Sequence, residues 1–203
     1  MSRQRVGLDK IKVTSSSCFG RGPLLRVFRA VEENLASIVA FGPIRALPSR
    51  FSLKSGGTET RIGGQGVSTT QILADGGDAL TEMVSAWFKT LEIPYELRVE
   101  ELDDEILGPA LAIRLFDTGQ GITVSPADVG IGISQLLPIL VAGISMPKGI
   151  LCVEQPELHL HPRLQANLAD FLIGTSVPQV EKRNDGSKSP GCQWIVETHS
   201  EAL

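Results

Sequence analysis

Glu154, Gln155 and Glu157 stand directly after four apolar residues, Ile150 to Val153, and His161-Pro162 follows at once as a helix start. The whole run from Gly149 to Pro162, GILCVEQPELHLHP, reads as a buried strand that delivers polar groups at its C-terminal tip. Open α/β sheets place their ligand sites at that end of the strands. In nucleotide hydrolases the position holds the Mg²⁺-binding acid and the group that directs the attacking water. Glu154 then coordinates Mg²⁺; its bland alternative is an acid that favours the dipole of the helix beginning at Pro162. Gln155 sits where such a hydrolase often has glutamate. An amide orients water but cannot accept its proton. Either hydrolysis is slow, or Glu157 stands in, or proton acceptance matters little in a loose phosphoryl-transfer transition state. Glu157 reads equally as a solvated loop acid.

A second apolar run, Cys192 to Val196, ends in Glu197-Thr198-His199-Ser200. His199 is placed either to hydrogen-bond a γ-phosphate or to cap a helix starting at Ser200. A helix predicted over 162–173 separates the two runs, with Pro162 at its first position, His161 as cap and an apolar face of Leu164, Leu168, Phe171 and Leu172. Strand, helix, strand at this spacing means a parallel pair. Both tips therefore open on one edge of the sheet. The spacing of His159 and His161, with Glu157 and His199, also admits a zinc site, although Pro162 makes His161 a helix-entry residue. Upstream, Gly130-Ile131-Gly132-Ile133-Ser134-Gln135 opens a helix predicted over 134–142, with Pro138 inside it. Exposed N–H groups there make an anion cradle, or the glycines simply permit a tight turn.

The elements that carry these groups are legible by pattern. Glu32 to Phe41 reads as a short helix or strand running into a core strand that stops at Gly42-Pro43. A helix is predicted from Asp78, its cap, to Leu91, with Leu80, Met83, Val84, Trp87, Phe88 and Leu91 at helical spacing. Tyr95 to Glu101, Ala110 to Phe116 and Ile122 to Val124 alternate as strands, which predicts an antiparallel annex over about 92–125. Gln179 to Gly191 reads as a solvated loop. The expected organisation is a basic, partly disordered segment over 1–37 and an α/β domain over 38–203, with the chemistry-bearing lobe from 126.

Composition bounds the rest. The 203 residues are 42% hydrophobic and 21% charged, ordinary for a globular domain, and can bury one full core. A net charge of −4 and a pI near 5.4 give no whole-chain case for nucleic acid. A local basic patch is conceivable from Arg21, Arg26, Arg29, Arg45, Arg50 and Arg61. Three scattered cysteines, with Cys152 read as a buried thiol, suit a reducing cytoplasm. The charge-free stretch Val129 to Pro147 holds prolines and glycines and reads as a buried loop and helix rather than a membrane span.

DVGIGISQLLPIL, ILCVEQPELHLHPRLQ and WIVETHSEAL, with FGPIRALPSRF and QILADGG, together resemble the C-terminal half of ABC-type ATPases, over roughly residues 38–203. The closest relatives in kind are the bacterial AAA-labelled ATPases akin to the OLD, SMC and RecF-like proteins. The resemblance implies the C-terminal lobe of a P-loop NTPase-like head with ATP and Mg²⁺ as cofactors. Val129 to Gly132 would be the signature segment, which in the family meets a γ-phosphate across a dimer. Glu154 would be the Walker B acid, Gln155 would replace the usual catalytic glutamate, Glu157 to His161 would form the D-loop and His199 the switch histidine. Gly130 replaces the customary serine. No G-x-x-x-x-G-K-[ST] occurs in the sequence. The expectation is therefore a fragment that meets its Walker A in another lobe or a homologous head. It would reach DNA or a defence effector only through the complete protein, with no membrane partner. A non-catalytic interaction module derived from such an ATPase is the alternative, and a metal-dependent hydrolase using His159 and His161 the remote one.

Overall fold

A computed structural model describes Arg26, Phe28, Arg29, Val31 and Leu35, and residues 38–46, 49–54, 66, 68–104, 108–147, 149–177, 179–180, 188–189 and 191–203. Most of the basic segment 1–37, with Arg21 and Cys18, lies outside the described residues, as does Arg61. The chain divides into two compact units, Met1–Leu35 and Ala36–Leu203. In the first, the five described residues are helical and exposed.

The second unit runs β1 (Ile38–Phe41), β2 (Ser52–Leu53), α1 (Thr69–Thr90), β3 (Tyr95–Asp104), β4 (Gly108–Asp117), β5 (Ile122–Val124), α2 (Ile131–Ser145), β6 (Ile150–Glu154), α3 (Pro162–Ser176), β7 (Gln179–Val180), β8 (Lys188–Ser189) and β9 (Gln193–Glu197). It is an α/β fold. β1, β6 and β9 form a parallel sheet with β6 in the middle, in register from Ile38–Ile150–Gln193 to Glu154–Glu197. The parallel pair expected from the two apolar runs is present, flanked by a third strand.

Strand alternation decides which face packs. Val39, Phe41, Leu151 and Val153 are buried, whereas Ile38 and Ile195 on the other face are 39% and 60% exposed. Cys152 shares that second face and is only half-buried, not buried as its apolar neighbours suggested. The period of two hands the packed side to Leu151 and Val153. Among the described residues the buried thiol is Cys192, whose Sγ donates to the Thr175 carbonyl at 3.4 Å and which burial pushes up in pKa.

The annex is antiparallel as expected, with order β2-β4-β3 and β5 pairing β4; β2 joins from outside the predicted span. β3 and β4 pair along their full length, Tyr95 with Asp117 to Asp104 with Gly108. Helix α1 starts nine residues before Asp78, because Thr69 to Gly76 form a first segment broken at Gly77 (φ 59°, ψ −156°). The predicted helix is the second segment. Leu80, Val84 and Phe88 form its buried stripe, and Leu73 is buried on the first segment.

Helix α2 explains the charge-free stretch: Ser134 to Gly143 are all buried. A helix hydrophobic all round belongs in an interior. No helix among the described residues is long and apolar enough to cross a membrane. Gly143 permits close packing, since a Cβ there would lie 2.7 Å from Phe171 and 2.8 Å from Trp194. Trp87 meets Phe171 edge-on at 4.9 Å, and Phe171 meets Trp194 at 6.1 Å. The stretch read as a loop, 179–191, contains the short antiparallel pair β7–β8, Gln179 against Ser189.

Candidate functional site at the strand tips

The C-terminal ends of β6 and β9 lie side by side. Glu154 pairs in register with Glu197, and the Gln155 N–H donates to the Glu197 carbonyl at 2.7 Å. Both glutamates are exposed, and among the described residues no hydrogen bond or ion pair occupies either carboxylate. The chain turns sharply after the strand: Gln155 is at φ 45° and His159 at φ 66°. Left-handed backbone at non-glycine residues concentrates at functional sites.

Glu157, unlike the two rim glutamates, is buried, 8% exposed. Its Oε1 accepts the His199 N–H at 2.9 Å, which ties the loop after β6 to the loop after β9. Burial pushes its carboxyl up. Hydrogen bonds from the N–H groups of His199, Glu157 itself and Ser200 and from the Thr198 hydroxyl outweigh burial and hold it below the usual carboxylate range. The solvated-acid reading of Glu157 is thereby replaced. His199 is exposed with its backbone held, so its ring is presented at the rim. His161 caps α3, its Nδ1 accepting the Arg163 N–H at 3.3 Å. Among the described residues no three or more His, Cys, Asp or Glu side chains gather to hold a metal ion, so nothing supports zinc at His159 and His161.

The glycine segment packs against this loop. A Cβ on Gly132 would lie 2.6 Å from the His159 carbonyl, whereas one on Gly130 would meet nothing within 4 Å. Gly132 thus serves helix–loop approach, and only Gly130 leaves open space. The Ser134 hydroxyl donates to the Pro126 carbonyl at 2.8 Å, and Ser134 is 3% exposed. The Gln135 side chain accepts the Arg45 N–H at 2.6 Å and donates to the Arg45 carbonyl at 2.8 Å, at 1% exposure. Both side chains are committed inside the fold instead of facing an anion.

Three residues of the site escaped the sequence reading. Arg45, grouped there with surface arginines, is 1% exposed and donates from Nη2 to the Glu154 carbonyl at 3.0 Å. Arg50 does lie at the surface, paired with Asp128 at 2.7 Å. Gln165 of α3 donates to the Leu160 carbonyl at 2.9 Å and accepts the Ser200 hydroxyl at 2.7 Å, bracing both loops. Glu197 is the strand residue opposite Glu154. Its one sequence signal was its place at the tip of the second apolar run.

A resident Mg²⁺ would suit this donor set. Mg²⁺ is usually held by one or two carboxylates with waters and substrate phosphates, and two unengaged carboxylates stand side by side at the rim.

Among curated proteins none matches the sequence. A solved structure from work on ATP-driven dimerisation and DNA-stimulated activation of SMC ATPases is similar at 18% identity and a TM-score of 0.45, over 62% of this chain and 70% of that chain. A second, an SmcHead bound to the C-winged helix domain of ScpA, is similar at 16% identity and a TM-score of 0.45, over 62% of this chain and 35% of that one. Both likenesses are distant. The family model described as "AAA domain, putative AbiEii toxin, Type IV TA system" matches residues 26–203, and the chain belongs to that AAA-domain family.

Proposed function

We propose that this chain is the lobe of an ABC-type, ATP-hydrolysing head that supplies the Mg²⁺ acid, the signature segment and the γ-phosphate sensor. The observation that carries the reading is the register of β6 with β9, which brings Glu154, Gln155 and His199 to one rim. Mg²⁺, when bound, would neutralise charge on the phosphates. Glu154 would hold it, with Glu197 beside it. Gln155, swung out by its left-handed backbone, would orient a water through its amide. His199 would hydrogen-bond the terminal phosphate while Glu157 holds its backbone in place. Gly130, open at the start of α2, would meet phosphate across a pair of heads. The phosphate cradle would come from another segment or a homologous head, since the sequence has no G-x-x-x-x-G-K-[ST]. DNA or a defence effector would be engaged by the assembled protein.

A specific observation keeps a second reading in play. Gln155 offers only an amide for the water-orienting role proposed here, and Glu157, the nearest carboxylate in sequence that could replace it, is spent on His199. A head so built binds its homologue without efficient turnover. ATP hydrolysis measured after adding a phosphate-loop segment from a homologous head separates the two. On the leading reading there is Mg²⁺-dependent turnover that Gln155→Glu raises, by up to about 10²-fold if a proton acceptor was missing. Assembly without turnover in wild type and in Gln155→Glu favours the non-catalytic module.

A further inference from the structure

Arg45 is buried to 1% exposure, yet among the described residues two of its guanidinium nitrogens, Nε and Nη1, have no hydrogen-bond partner, and neither does the buried Glu157 Oε2. The side chain is not there to fill space, because an apolar residue would do so without stranding donors. Its third nitrogen, Nη2, holds the Glu154 carbonyl at 3.0 Å, the last residue of β6. Its backbone is gripped on both sides by Gln135 of α2, at 2.6 Å and 2.8 Å. Burial lowers its pKa to about 10, and the attraction of Glu157 works against that drop. It therefore stays charged at neutral pH, within electrostatic reach of the carboxylate that clamps His199.

We propose that Arg45 is a positioning residue that joins the start of the signature helix to both strand tips, by hydrogen bond to Glu154 and by charge to Glu157. A shift of α2 at its N-terminal turn would move Gln135, then Arg45, and so re-aim Glu154 and loosen His199 together. This rests on reading Glu154 and His199 as nucleotide-facing, but it makes a claim about the free chain that can be judged without nucleotide.

The test is amide hydrogen exchange on the full chain in wild type, Arg45→Met, Arg45→Lys and Arg45→Met/Glu157→Gln. Arg45→Met should speed exchange at Gln155 and His199 by about tenfold or more, while Leu115 in the annex changes by no more than about twofold. Arg45→Lys should recover most of that protection because it keeps the charge. Equal acceleration everywhere, no acceleration, or a lysine variant no better than methionine overturns the proposal. Should Arg45→Met fail to fold, urea unfolding of the double variant decides. Removing both buried charges leaves neither one stranded, so the double variant should fold and lose less stability than the Arg45→Met and Glu157→Gln losses summed. A double variant that is unfolded, or weakened additively, overturns it. Turnover with a phosphate-loop segment is judged separately, so loss of the Arg45 role leaves the ATPase reading standing.

Discussion

Glu154 and Glu197 are register partners on adjacent parallel strands, both exposed at the C-terminal rim of the sheet. Parallel register sends paired side chains to the same face, with strands about 4.8 Å apart. Two like charges at that distance repel, and a divalent cation is the natural relief. The two glutamates should then be separable by role. Glu154→Ala is expected to lower Mg²⁺-dependent turnover of the completed head by about 10²-fold or more. Glu197→Ala should mainly raise the Mg²⁺ concentration for half-maximal rate, by about tenfold. Magnesium titrations of the two variants check this.

Glu157 sets a pH dependence. Its folded pKa is depressed, so its stabilising contribution is complete above the unfolded carboxylate range and is lost as pH falls through the folded value. Wild type should exceed Glu157→Gln in urea midpoint at pH 7, and the gap should close on acidification below the ordinary carboxylate pKa. A gap that stays constant with pH contradicts the depressed carboxylate.

Gly130 and Gly132 should part company. Gly132→Ala drives a Cβ against the His159 carbonyl, which is backbone and cannot swing aside, at an expected cost of about 1–3 kcal/mol. Gly130→Ala meets open space and has an allowed φ of −55°, so its cost should stay below about 1 kcal/mol in urea unfolding. If Gly130 is the phosphate-facing residue, its variant should lose turnover while keeping stability.

The site was legible where local pattern and position coincide. Ile150 to Val153 and Cys192 to Val196 announced themselves as apolar runs with polar ends, and a single intervening helix made them parallel. His161 as a cap followed from Pro162. Arg45 was not legible, because its burial depends on Gln135, ninety residues later. Glu157 was ambiguous for the same reason: only the folded chain puts the His199 N–H on its oxygen. Cys152 misled because apolar neighbours in sequence do not say which face of a strand is covered. The start of α1 was hidden by Gly76-Gly77, which the chain accommodates as a break between two helical segments.

On the proposed function, the tips of β6 and β9 form one Mg²⁺–nucleotide site. Amide line broadening by Mn²⁺ with millimolar ATP tests it most directly. Gln155, Thr198 and His199 are expected to broaden first, Leu115 and its annex neighbours to stay sharp, and Glu154→Ala to remove the effect. Broadening centred elsewhere, or unchanged by Glu154→Ala, would contradict it.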